Sequence, residues 1–159
     1  MASDDLLNSF LRVSLTAEQA HPRFAAVLEG LRWDRTGYVL PALPHTAFSI
    51  VWHMGSCMRL LIDRVESGSY REPASPTGFW PAHTSPFAES EWLLVVDEAL
   101  RAEATLQGWI ETRDLSAPIR SAAQNTLFCE LVMIARHNAY HIGQLVDYRR
   151  LVGLPCEFP

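Results

Sequence analysis

Apolar residues recur along this chain with the spacing of helices rather than of strands. Four segments follow that period, at about residues 4–30, 45–66, 86–112 and 125–152. The alternation of apolar and polar residues that is typical of a half-buried strand is absent throughout. The pattern therefore predicts an all-α fold with four principal helices, and a length of 159 residues suits one domain spanning 1–159.

Breaker and capping residues predict where these helices begin and end. Pro22 disfavours helical backbone at the residue before it, which predicts a break in the first segment. Ser85 followed by Pro86 predicts the N-cap and first residue of the third helix, because proline has no N–H to leave unpaired there. Thr126 predicts the start of the last helix, and Gly153 predicts its end.

The connection between the second and third helices is long and irregular. Gly68 is expected to end the second helix, and residues 67–85 contain several prolines and glycines that prevent regular structure. Connections of this length are uncommon in compact domains unless they are functional or disordered. The aromatic residues Tyr70, Phe79 and Trp80 favour an ordered loop that lies over one end of the domain.

Charge and composition argue against several classes of function. The formal net charge is −5, and no basic cluster larger than Arg149-Arg150 is present, which disfavours binding to DNA or RNA. No uncharged apolar run is long enough for a transmembrane helix, and the N-terminus lacks the features of a signal peptide. The three cysteines are widely spaced and form no CxxC pair. These features are typical of a soluble cytoplasmic protein in a reducing compartment.

Three of the six histidines lie in strongly apolar helical segments. His137 and His141 are four residues apart in the last helix, so they share one face and can reach a single divalent cation. His53 lies in the second helix and can complete the group if the two helices are neighbours. Three neutral imidazoles suit Zn²⁺, Ni²⁺, Fe²⁺ or a similar ion. We therefore expect a metal site formed by His53, His137 and His141.

Each of these assignments has a simpler structural alternative. A histidine in an apolar stripe is often a hydrogen-bonded core residue that binds no metal. Cys57 follows His53 by one helical turn; it is a fourth ligand, a redox-sensitive neighbour or, more commonly for a free cysteine, a small buried core residue. His45 suits a capping or surface position as well as a ligand, and His83 is expected to be exposed on the loop. Three polar residues flank the last two histidines, namely Asn138, Tyr140 and Gln144. They either orient the imidazole rings or are ordinary helix-packing or surface residues.

Two stretches of the sequence resemble the DinB-like superfamily. One is Trp52-His53-Met54 in the second helix, and the other is His-Asn-Ala-Tyr-His-Ile-Gly-Gln at 137–144. The segments Pro44-His45-Thr46-Ala47-Phe48 and Gly78-Phe79-Trp80-Pro81 are similar to one branch of that superfamily. The resemblance covers nearly the whole chain. It implies a four-helix bundle with long crossover connections, frequent homodimers, and a metal bound by a histidine triad that maps onto His53, His137 and His141.

The resemblance also implies a class of activity. Characterised members of the superfamily include metal-dependent thiol transferases and a mycothiol-dependent isomerase. The expectation is a metal-dependent enzyme, a transferase or hydrolase, that acts with a low-molecular-weight thiol or another small molecule. A fold shared by many activities does not identify the reaction. The alternative is a metal-stabilised interaction protein without turnover, a dimer whose contact includes Trp92, Trp109 or Leu151-Val152.

Overall fold

The computed structural model describes a helical protein. The described residues are 2–16, 20–67, 73, 77–119 and 125–154. Within these ranges the chain forms five α-helices and no strand, which confirms the all-α fold class. None of these helices combines the length and apolar character that crossing a membrane requires. The α-helices are α1 (Ala2–Thr16), α2 (Phe24–Leu28), α3 (Ala47–Ser67), α4 (Glu89–Thr112) and α5 (Leu127–Leu151).

The helix α3 packs against both α4 and α5, and α1 packs against the same two helices. One cluster of buried apolar side chains joins the four. A close approach of α3 to α4 is permitted by Gly55, where an added Cβ would lie 3.0 Å from the Cβ of Ala99. Because α3 and α5 are neighbours, side chains from these two helices can meet. The fully buried core residues include Leu11, Phe48, Met54, Leu106 and Leu145.

Two buried polar side chains of α5 anchor the connection between α2 and α3. The Tyr148 hydroxyl donates to the Arg35 carbonyl at 2.6 Å and accepts the N–H of Tyr38 at 2.9 Å. The Arg149 guanidinium donates to the Val27 carbonyl, in the last turn of α2, at 2.9 Å and to the carbonyl of Glu29, the first residue after α2. Both side chains are less than a tenth exposed. Their hydrogen bonds are therefore shielded from water and fix the connection on α5.

Several predicted helix boundaries agree with the structure. The chain is non-helical around Pro22, between α1 and α2. Thr126 is the N-cap of α5, and its side chain accepts the N–H of Cys129 at 3.3 Å. Gly153 follows α5 with a φ of 73°, a left-handed conformation that favours glycine. The predicted stop at Gly68 lies outside the described residues.

The predicted start of α4 at Ser85-Pro86 is wrong, because the helix begins at Glu89. The Glu91 carboxylate, in the first turn, accepts the N–H of Phe87, two residues before the helix, at 2.6 Å. Ser85 instead lies against Gly37, where an added Cβ would be 2.1 Å from the serine Oγ. Tertiary packing thus places the serine away from the helix start.

The expected dimer contact is wrong for the two tryptophans. Trp92 and Trp109 are 4% and 5% exposed, so both rings belong to the core. The Trp92 indole N–H donates to the Leu31 carbonyl at 3.1 Å, which satisfies its one polar group internally. Leu151, at the end of α5, is 52% exposed.

Candidate metal centre

The neighbouring faces of α3 and α5 bring three histidine rings together. His53 belongs to α3, and His137 and His141 belong to successive turns of α5. The ring centroids are 4.9 Å apart for His53 and His137, 4.8 Å for His53 and His141, and 4.5 Å for His137 and His141. His53 and His141 are buried, and His137 is half-buried. The three residues selected from the sequence therefore lie side by side.

The donor atoms of His53, Cys57 and His137 form a group that could hold one metal ion, since they all lie within 4.8 Å of one another. The Nε2 atoms of His53 and His137 are 2.9 Å apart. Cys57 Sγ lies 3.8 Å from each ring nitrogen of His53. His141 is not a member of this group, although its ring centroid is 4.8 Å from that of His53 and 4.5 Å from that of His137.

An oxygen acceptor lies beside the Nδ1 atom of each ring. A carbonyl or amide oxygen can only accept a hydrogen bond, so it holds the proton of a neutral imidazole on Nδ1 and leaves a lone pair on Nε2. Outer contacts of this kind orient the histidine ligands of metal sites. The acceptors are the Phe79 carbonyl at 2.7 Å from His53, the Gln144 Oε1 at 2.7 Å from His141 and, at the longer distance of 3.4 Å, the Asn138 Oδ1 beside His137.

The two side-chain amides are themselves held in place. The Gln144 amide N–H donates to the Tyr140 hydroxyl at 3.1 Å, which directs the Gln144 oxygen towards the histidine. The Asn138 amide N–H lies 3.4 Å from the sulfur of Met58, and Asn138 is buried. These contacts favour an orienting role for Asn138, Tyr140 and Gln144 over simple packing.

Two Nε2 atoms face each other across the site. Those of His53 and His137 are 2.9 Å apart, a distance at which either one ring donates its proton to the other or the two lone pairs bind one cation. Burial lowers the pKa of His53 and His137, and that of His141 to about 4, which favours uncharged rings at neutral pH. Two nitrogens bound to one tetrahedral zinc ion are about 3.3 Å apart. The pair therefore fits a divalent cation after a small widening.

Trp80 covers one side of the histidine group. Its indole is stacked between the His45 ring, with centroids 3.6 Å apart, and the His53 ring, with centroids 4.1 Å apart. The Thr46 hydroxyl donates to the Thr84 carbonyl at 2.6 Å and ties this part of the loop to the start of α3. The described part of the loop thus lies over the site, whereas Tyr70 lies outside the described residues.

His45 and His83 take positions that the sequence did not reveal. His45 stacks on Trp80 and does not cap α3; the Thr46 Oγ1 accepts the N–H of Ser49 instead. The expected exposure of His83 holds only in part, because its Nε2 lies 2.7 Å from the Glu91 carboxylate and its side chain is 33% exposed. His83 therefore fastens the loop to α4. No spacing in the sequence connects position 45 or 83 with these partners.

A cavity of about 210 Å³ reaches the site between α3 and α5. Cys57 and His137 line it, and so do Arg64 and Glu130, whose charged groups are 3.5 Å apart. Leucine, methionine and isoleucine side chains form most of the remaining wall. Cavities of about 300 and 500 Å³ near Arg113 touch none of the three histidines. The smaller cavity is therefore the relevant one for chemistry at the histidines.

No protein-family model matches the chain, and no curated protein matches it either. The resemblance to the DinB-like superfamily consequently stays a prediction from the residues.

Proposed function

We propose that the protein binds one divalent metal ion through His53, His137 and His141, and that it is a four-helix bundle of the DinB-like superfamily. One observation carries the proposal. Each of the three rings has an oxygen acceptor beside its Nδ1, which favours a free lone pair on each Nε2, and the Nε2 atoms of His53 and His137 already lie 2.9 Å apart. Buried, neutral imidazoles are the ligands that Zn²⁺, Ni²⁺ and Fe²⁺ accept.

The cavity supports a metal-dependent enzyme that acts on a small molecule. When bound, the ion activates a thiol or water for attack on an electrophile. Trp80 excludes water from one side of the site, and the cavity leads to the side of Cys57 and His137. A volume of about 210 Å³ is below the usual range for drug-sized ligands, about 300–1,000 Å³. This size favours a small thiol or similar substrate over a thiol linked to a nucleotide.

A non-catalytic, metal-stabilised dimer is the second candidate. It is favoured by an apolar face of α1, on which Leu6, Phe10 and Val13 are 72%, 59% and 41% exposed. Binding of an ion to the folded state alone would stabilise the fold without any turnover. A vacant coordination position beside the cavity favours the enzyme, and a fully occupied coordination sphere favours the structural role.

The metal content of two variants tests the proposal. We expect the wild-type protein, purified without a metal-affinity tag, to contain about one divalent ion per chain. The double variant His137→Ala/His141→Ala removes two of the three ligands and is expected to lower that content at least about tenfold. Elemental analysis gives the ratio, and circular dichroism verifies that the variant is folded.

The matched control is His21→Ala, since His21 lies between α1 and α2 and its Nδ1 bonds the Pro22 carbonyl. This variant is expected to keep the wild-type metal content. An unchanged metal content in the folded double variant would show that the ligand assignment is wrong.

A further inference from the structure

We infer that Cys57 is a fourth protein ligand of the metal ion, beside His53, His137 and His141. The inference rests on the proposed metal function and adds a thiolate to a set that would otherwise consist of imidazoles. A thiolate ligand affects which ions the site prefers and whether a coordination position stays open.

The position of Cys57 on α3 carries the inference. Cys57 follows His53 by four residues, so both side chains leave one face of the helix, one turn apart. Its Sγ is 3.8 Å from each nitrogen of His53, within the group of donor atoms that also includes His137. A sulfur and a nitrogen bound to one tetrahedral zinc ion are about 3.5 Å apart. Shortening the 3.8 Å separation of Sγ and the His53 Nε2 by about 0.3 Å would bring this pair to the coordinated distance.

A role in the core explains Cys57 less well. The next residue, Met58, is fully buried, whereas Cys57 is half-buried and lines the 210 Å³ cavity with His137. The thiol thus lies at the edge of the core, where an ion entering through the cavity would meet it. Cys129, in contrast, is exposed at the start of α5 and is not a member of the donor group.

Coordination by Cys57 has two chemical consequences. The thiol releases its proton to solvent as Sγ binds the ion, because the thiolate is the ligand. A thiolate selects ions that accept sulfur, such as Zn²⁺ and Co²⁺, over Mg²⁺, Ca²⁺ and Mn²⁺. Four protein ligands would close a tetrahedral site, which favours the structural role unless Cys57 gives up its place to a substrate from the cavity.

Absorption spectroscopy of the Co²⁺-loaded protein tests the inference. We expect the wild-type protein and the control Cys129→Ser to show the near-ultraviolet band of charge transfer from sulfur to cobalt. Cys57→Ser is expected to bind Co²⁺ through the histidines but to lose this band, with an affinity at least about tenfold lower. A band that persists in Cys57→Ser would overturn the inference.

The outcomes separate this inference from the proposed function. If the wild-type protein binds Co²⁺ without the sulfur band, Cys57 is not a ligand and the histidine site stands. If it binds no Co²⁺, the proposed metal function fails and the inference fails with it.

Alkylation of the wild-type protein provides a second test that needs no variant. We expect Zn²⁺ to protect Cys57 from iodoacetamide and to leave Cys129 as reactive as before, as measured by mass spectrometry of the peptides. Equal alkylation of Cys57 with and without bound Zn²⁺ would contradict coordination by its sulfur.

Discussion

Glu103 is a partly buried carboxyl group on α4, between the buried residues Ala102 and Leu106. Burial raises its pKa from 4.5 to about 7. In the folded state Glu103 therefore stays protonated up to about pH 7, whereas in the unfolded chain it ionises near pH 4.5. Glu103 lowers the free energy of unfolding progressively as the pH rises from about 4.5 to 7, and the loss persists above pH 7.

The variant Glu103→Gln is expected to remove this dependence, because an amide does not ionise. Relative to the wild type, it should gain up to about 3 kcal/mol in the free energy of unfolding at pH 8 and much less at pH 4. Urea unfolding at both pH values gives the difference. The control Glu29→Gln removes the same charge at an exposed position after α2 and is expected to show no such change. A gain for Glu103→Gln that is equal at both pH values would contradict the role of burial.

At the histidines, the sequence allowed the choice of residues but not of their hydrogen-bond partners. The spacing of His137 and His141 follows from helical periodicity alone. The Phe79 carbonyl that holds the His53 Nδ1 belongs to the backbone, so residue type carries no signal for it. The four-residue spacing of His53 and Cys57 allows their side chains to approach each other. A free cysteine is nevertheless more often a small buried core residue, so the sequence did not single out Cys57 as a ligand.

Among the elements, the contact between α3 and α4 depends on Gly55. An added Cβ would lie 3.0 Å from the Cβ and 3.2 Å from the Cα of Ala99, and the Cα cannot move without its helix. Gly108, on α4, has nothing within 4 Å of an added Cβ. Replacing each of these two glycines by alanine therefore distinguishes the effect of helix propensity on stability from the effect of packing.

Gly108→Ala is expected to raise the free energy of unfolding by up to about 1 kcal/mol, the difference in helix propensity between the two residues. For Gly55→Ala we expect a free energy of unfolding about 1–3 kcal/mol lower than helix propensity alone would give, because the added methyl group overpacks the contact with Ala99. Urea denaturation of both variants gives the comparison. Equal gains would show that α3 and α4 are not in tight contact at Gly55.

The helix boundaries show where local sequence signals succeed and where they fail. Thr126 caps α5 with its own side chain, so the local sequence was sufficient. At α4 the serine and proline signal failed, because Ser85 packs against Gly37, far away in the sequence. The Glu91 carboxylate instead receives the N–H of Phe87. Contacts between distant segments override a local capping preference, and one sequence does not reveal them.

For the whole molecule, apolar periodicity was enough to predict an all-α fold but not which helices are neighbours. The proposed site requires that α3 and α5 touch, and the structure places them in contact. The stack of His45, Trp80 and His53 joins the 77–85 segment to that pair of helices. The three residues of this stack are far apart in the sequence, so their contact could not be predicted without the fold.

A divalent cation bound between α3 and α5 would be visible in anomalous diffraction from a crystal soaked with Zn²⁺, measured at the zinc absorption edge. We expect a single strong peak about 2.0–2.1 Å from the Nε2 atoms of His53 and His137, within reach of His141. No peak at these histidines, or a peak bound only by residues elsewhere, would show that the proposed site is wrong.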